Sequence, residues 1–194
     1  MIVIQYYGHS ALEVETKNQS ATGETSMRRT RTGAVLAAAT LLTTALGAQA
    51  EDAAVQQLLD RAAIQDVLVR YTHALDTLDA DKYAGVFTPD AVFEQGADRV
   101  SKGRSEIRSI ITGLQKSRAE REAAGTATPT LMHHVMTNAT LDIVSDHEAH
   151  HYAYWMTILG TVDDGFRVAS MGHYEDVLVK RNGEWLIQTR KLLR

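Results

Sequence analysis

The spacing of apolar positions divides the chain into three parts. Residues 33–47 form an unbroken, charge-free apolar run without period. From residue 58 the period becomes helical: Ile64, Val67, Leu68, Tyr71 and Leu75 fall on one face, with Asp60, Arg61, Gln65, Asp66 and Arg70 on the other. This predicts an amphipathic helix that runs out near Asp76. Asp79 is placed to cap a second short helix over 80–87, which Pro89 ends, and 91–95 reads as a strand. Residues 96–103 carry no period and predict a hairpin or loop. A third helix follows over 105–123, with Ile107, Ile110, Ile111 and Leu114 inward and a charged second half, and 125–129 is a loop.

Beyond residue 131 the period shortens to two. Four strand-like segments, 132–144, 148–162, 166–180 and 184–193, are separated by Ser145-Asp146, Asp163-Asp164-Gly165 and Asn182-Gly183. Asn-Gly is the strongest short hairpin signal. Long adjacent antiparallel strands must coil, which gives the sheet a concave side that helices can cover. Helices followed by a meander predict an α+β fold.

The apolar run changes the picture of the N-terminus. Met27-Arg28-Arg29-Thr30-Arg31 precedes it and Ala48-Gln49-Ala50 follows it, the three-part layout of a secretory signal. Its apolar part is shorter than the roughly 20 residues of a membrane span. The expected organisation is an upstream, disordered extension over 1–26, with translation starting at Met27. A signal peptide follows over 27–50, then one domain over 51–194, periplasmic or secreted and not inserted in a membrane after cleavage.

Composition narrows the chemistry. The 194 residues carry 20 Lys plus Arg against 24 Asp plus Glu, a net charge of −4, and the basic residues are scattered. Phosphate binding needs a concentrated basic face, so nucleic acid is not an expected partner. With no cysteine, thiolate nucleophiles, disulfides and cysteine-ligated metals are excluded.

The order of elements resembles the nuclear transport factor 2 (NTF2)-like superfamily, and the motifs resemble its SnoaL-like branch. The residues that carry this are the opening RAAIQDVLVRY, Ala74-Leu75-Asp76 with Asp79 and Asp81, Phe87-Thr88-Pro89-Asp90-Ala91, Gly103-Arg104, Met132-His133-His134 leading to Asn138, Gly172-His173-Tyr174-Glu175-Asp176, and Gly183-Glu184-Trp185. The resemblance implies a cone-shaped NTF2-like fold, three N-terminal helices packed on a strongly curved, mainly antiparallel sheet. It also implies a small apolar or aromatic ligand, no cofactor, and a homodimer or homotrimer.

The fold hosts cyclases, dehydratases, isomerases and plain binding proteins, so activity has to be read from residues. The chain resembles hexachlorocyclohexane dehydrochlorinase and scytalone dehydratase in having an aspartate at the position of Asp76. Likeness to the former selects His134, four residues before Asn138, as the imidazole partner. A scytalone dehydratase histidine falls on Tyr152, which departs from a full dehydratase site. Asp76 and His134 are the expected acid–base pair, with Tyr71, Phe93, Asn138, Tyr152 and Tyr174 lining or polarising the substrate.

An aspartate that holds one imidazole nitrogen leaves the other free as a base, which suits elimination, isomerisation or cyclisation by a lyase or isomerase without metal or nucleotide. The alternative is a non-catalytic ligand-binding or assembly module, with Asp76 a helix-end carboxylate and His134 a sheet histidine. His133 is expected on the opposite face of its strand from His134, structural or at an interface. His147, Glu148, His150 and His151 are a conceivable metal group, but His150 and His151 must point to opposite faces of a strand, and no metal site is expected.

Overall fold

A computed structural model describes residues 33–126 and 131–194, with side chains from residue 51 onward. The chain divides into two units between Thr44 and Ala45, and the second carries the sheet and the candidate site. The expected extension over 1–26 and the basic start of the expected signal, 27–32, lie outside the described residues. Among the described residues no helix is long and apolar enough to cross a membrane.

Helix α1 (Gly33–Asp76) continues through the expected cleavage region to the position where its apolar stripe stops. Two nested hydrogen bonds end it: Asp79 N–H donates to the Ala74 carbonyl at 2.8 Å and Leu78 N–H to the Leu75 carbonyl at 3.2 Å. This closure puts Leu78 at φ 53°, a left-handed conformation that costs a non-glycine residue about 1–2 kcal/mol. Ile64, Val67, Tyr71 and Leu75 are all buried, each contributing roughly 1.5–3 kcal/mol. Packing of the stripe therefore outweighs the local strain, and the position of Asp76 follows from it.

Asp79 caps α2 (Ala80–Gly85) by accepting the Lys82 N–H at 3.0 Å. The helix is shorter than expected, because Phe87 is fully buried and already belongs to β1 (Phe87–Gln95). Pro89 lies inside that strand rather than before it. It falls at a register shift in the pairing of β1 with β6, where a missing N–H costs no ladder bond. The segment expected to be a hairpin or loop holds a short strand, β2 (Val100–Lys102), antiparallel to β1. In α3 (Gly103–Ala123), Ile107 and Ile111 are buried as expected, but Leu114 is exposed.

The four long strands, β3 (Leu131–Ser145), β4 (Glu148–Thr161), β5 (Gly165–Arg181) and β6 (Glu184–Leu193), form the expected meander. Asn182 and Gly183 both take positive φ, 54° and 83°, the geometry of a two-residue hairpin turn. The sheet order is β2-β1-β6-β5-β4-β3, antiparallel except for β1 with β6. Register shifts at 137/140, 157/158 and 177/178 interrupt the ladders, and such bulges bend a sheet. The result is an α+β domain with helices on the concave side of a curved sheet.

Paired residues share a face, so the register defines rows across the sheet. On the helix-covered face one row is Leu141, His151, Asp176, Arg190 and Phe93. Two rows along lie Met136, Trp155 and Gly172, and beyond them His134, Thr157 and Ser170. The first row is closed over by α1. The last lies at the open end, where α1 finishes.

Candidate active site

His134 is on β3, an edge strand of the sheet, so a backbone N–H that points away from β4 has no ladder partner. Asp76, held by the end of α1, satisfies it: Oδ1 accepts the His134 N–H at 2.9 Å. The same oxygen lies 2.7 Å from His134 Nδ1. A carboxylate only accepts hydrogen bonds, so this contact puts a proton on Nδ1, and in the neutral ring Nε2 is then the nitrogen with the lone pair. The side chains of Asp76 and His134 are 17% and 10% exposed, which keeps the pair mostly out of water yet reachable. His133 approaches Asp76 Oδ2 at 3.8 Å from a largely solvated position. Its strand geometry is as expected, on the other face, but its ring turns back toward the same carboxylate.

The other expected lining residues divide into two groups. Tyr71, Phe93 and Tyr174 are on the covered face and fully buried. Tyr71 packs on Tyr83, Phe87 and Tyr174, and Tyr83 donates to the Tyr71 hydroxyl at 3.3 Å. Burial pushes the Tyr83 and Tyr174 hydroxyls well above the ordinary tyrosine range, so both stay protonated.

Tyr152 and Asn138 do not join them. Tyr152 alternates with the buried Ala153 and His151 and so faces the outer side, where it packs on Tyr154 and His173. Asn138 is exposed at the β3 bulge with φ 50°, and its amide oxygen meets the neighbouring Thr137 hydroxyl. The alternation of β4 and the bulge in β3 account for both placements.

The conceivable metal group also divides by strand alternation. His150 is exposed and bonds Glu148 at 3.0 Å, while His151 is buried and bonds Asp176 at 2.8 Å. Among the described residues no three His, Asp or Glu side chains converge as a metal site.

His151 belongs to a polar cluster that periodicity alone does not single out. Asp176 and Arg190 pair through two hydrogen bonds, Nε to Oδ1 and Nη2 to Oδ2, both 2.7 Å, with neither side chain exposed. The guanidinium packs against two rings set edge to face with each other, 3.9 Å from the Tyr71 centroid and 4.2 Å from that of Tyr174. Burial raises the Asp176 carboxyl, but Arg190 and His151 outweigh it and hold the group below the usual carboxylate range. Burial likewise lowers Arg190, and Asp176 more than restores it. The available sequence signal was a charged residue at an inward-facing position of each strand.

Two surface depressions, of about 380 and 460 Å³, lie elsewhere. The first is on the outer face around His150, Tyr152, Glu175 and Lys191, and the second lies between α1 and the β5–β6 turn at Arg70 and Trp185.

The SnoaL-like domain model matches residues 56–191. A structure of a single-residue variant of Rv3472, a function unknown protein from Mycobacterium tuberculosis, is similar at 26% identity and a TM-score of 0.57, covering 70% of this chain and 72% of that one. A protein from Catenulispora acidiphila in complex with S-DNPA is similar at 25% identity and a TM-score of 0.56, covering 70% and 94%. An NTF2-like protein with a cystatin-like fold from Novosphingobium aromaticivorans shares the fold at 18% identity and a TM-score of 0.60, covering 72% and 84%. No curated protein matched the sequence. With the matched segment spanning both helices and sheet, the chain belongs to the SnoaL-like domain family.

Proposed function

We propose that the domain is a cofactor-independent, small-molecule enzyme of the lyase or isomerase kind, with His134 as base and Asp76 as its orienting carboxylate. The observation that carries this reading is the 2.7 Å contact between His134 Nδ1 and Asp76 Oδ1 in a half-buried setting. Nε2 takes a proton from a carbon next to a carbonyl or a leaving group, and Asp76 stabilises the imidazolium that forms. Return of the proton at another carbon completes an isomerisation. Departure of the leaving group with the electron pair completes an elimination. The similar Catenulispora acidiphila protein, in complex with S-DNPA, supports a small organic ligand for this fold.

The test needs no known substrate. Incorporation of deuterium from solvent is followed across a panel of cyclic and aromatic ketones, comparing the protein with His134→Ala. Acid–base catalysis contributes about 10²–10⁴-fold, so the variant should lose at least about a hundredfold in rate on any ketone that exchanges. Equal rates refute the assignment of His134.

A second reading, a non-catalytic binding or assembly module, is favoured by the depression on the outer face, away from the dyad. In that case a co-purifying ligand binds equally well to the His134→Ala protein. The outer face also exposes Val135, Val168 and Met171, and we assign it to self-association as a dimer or trimer, which light scattering checks. The N-terminal segment supports export to the periplasm or exterior. N-terminal sequencing of the mature protein should then begin near Glu51, and a mature chain starting at Met1 refutes export.

A further inference from the structure

Adjacent residues on a strand point to opposite faces, so His133 and His134 do not line one pocket side by side. They share a carboxylate instead. β3 is an edge strand, with no further strand beside it to wall the outer face from the inner one. From the inner face His134 engages Asp76 Oδ1, donating its backbone N–H at 2.9 Å and holding Nδ1 at 2.7 Å. From the outer face the His133 ring comes round the edge and brings its Nδ1 to 3.8 Å from Oδ2. That is too long for a hydrogen bond and short enough for a charge to be felt.

Among the described residues Asp76 is the one acid within 4 Å of His133. Across the outer face its row continues as Ile158 and Val168, and the next row is Val135, Met156 and Met171, so β4 and β5 bring no charge to it. In the last turn of α1 the other ionisable side chain, His73, makes no ion pair with Asp76, and Asp79 beyond the turn is engaged by Lys82. The His133 side chain is 58% exposed, so it exchanges protons with bulk water directly. Imidazole is the side chain that changes charge between about pH 5 and 8. The free oxygen of Asp76 therefore faces a group whose charge depends on the medium rather than on the pocket.

We propose that His133 is a positioning residue that tunes His134 as a base through the carboxylate both rings face. This inference rests on His134 being the base. When Nε2 takes the substrate proton, the imidazolium is balanced by Asp76. With a second proton on His133 the same carboxylate faces two cations, and the like charges oppose the transfer. The scale is that of a partly solvated ion pair, a few-fold in rate or equilibrium. Neutral His133 leaves the whole carboxylate to His134 and makes it the stronger base. Protonated His133 makes it a weaker base, but one whose Nε2 stays free to lower pH. The substrate proton itself still passes only between carbon and Nε2.

Two substitutions fix the charge in opposite senses. His133→Gln is neutral at every pH and His133→Lys is positive through the neutral range, and at this exposed position both should stay folded by circular dichroism. The His134 ring is followed by NMR in the unliganded protein as the pH is lowered, and deuterium exchange of a ketone from the panel is measured over the same range. The ring in His133→Gln should take up its proton at a pH higher than in His133→Lys by roughly 0.2–0.7 of a unit, the few-fold scale of an exposed ion pair. The fall in exchange rate should be displaced in the same sense. At alkaline pH His133→Gln should match the unaltered protein, while His133→Lys should be a few-fold slower. Salt at 1 M should narrow both differences.

The ring titration needs no substrate. Opposite displacements of the His134 ring with no exchange on any ketone would uphold the coupling and overturn the base assignment it rests on, so the two failures are told apart. Identical ring titrations in the two variants, or displacements of the same sign relative to the unaltered protein, overturn the proposal and leave His133 as a surface residue beside the pair.

Discussion

The domain contains the same pair of residue types twice. Asp76 with His134 and Asp176 with His151 each join a carboxylate oxygen to Nδ1, at 2.7 and 2.8 Å. Their surroundings differ. Asp176 and His151 are enclosed, and a bidentate arginine compensates the carboxylate. Asp76 and His134 are partly open, with a backbone N–H as the other partner of the carboxylate. A compensated, enclosed pair is committed to holding strands β4, β5 and β6 in register. An uncompensated pair at a rim keeps one nitrogen available for a proton. The same chemistry thus serves as scaffold in one place and as candidate machinery in the other.

Breaking the enclosed pair should produce the largest effect on stability. Asp176→Asn leaves the Arg190 charge buried without its partner, and urea denaturation should show a loss of about 3–5 kcal/mol. The pH dependence has a definite sign. Because the folded Asp176 pKa lies below its unfolded value, the stabilisation is complete above the unfolded pKa and fades as pH falls through the folded one. Denaturation midpoints should therefore decline from roughly pH 5 downward, and the decline attributable to Asp176 should be absent in Asp176→Asn.

At the rim the ranking reverses. His134→Ala should cost deuterium exchange at least about a hundredfold, or about 2.7 kcal/mol of barrier, with little change in the urea midpoint. A variant that instead unfolds as readily as Asp176→Asn would erase the distinction between the two pairs. Asp79→Ala removes the cap of α2 just beyond Asp76 and should cost about 1 kcal/mol in thermal or urea unfolding. Tyr152→Phe, on the outer face, should change exchange rates by less than about twofold, since surface substitutions away from special features act within about 0.5 kcal/mol.

The fold was readable because burial imposes periods that the chain displays. The stripe from Ile64 to Leu75, the alternation of β3 to β6 and the Asn182-Gly183 turn each reflect a single physical requirement. The length of α2 and the place of Pro89 were less readable. Whether Phe87 continues a helix or opens a strand depends on β6 beside it, which no local window contains. Asp76 and His134 could be paired from the resemblance, and their contact depends on β3 being an edge strand with an unpaired N–H. Tyr152 and Asn138 could not be placed, because a one-residue register and a bulge decide which face a side chain takes. Arg190 and Asp176 were visible as inward charges on otherwise apolar strand faces. Their partnership was not, since it rests on strand register between β5 and β6.

The central claim is that Asp76 makes His134 a base, and the Asp76→Asn protein tests it most directly. On a ketone from the panel that exchanges, the amide keeps the size of the carboxylate but no longer stabilises the imidazolium. The account predicts a kcat for deuterium exchange lowered about a hundredfold with KM within about twofold of the unaltered protein, the pattern of an interaction made in the transition state. An unchanged kcat would contradict it and leave Asp76 as the cap of an edge strand.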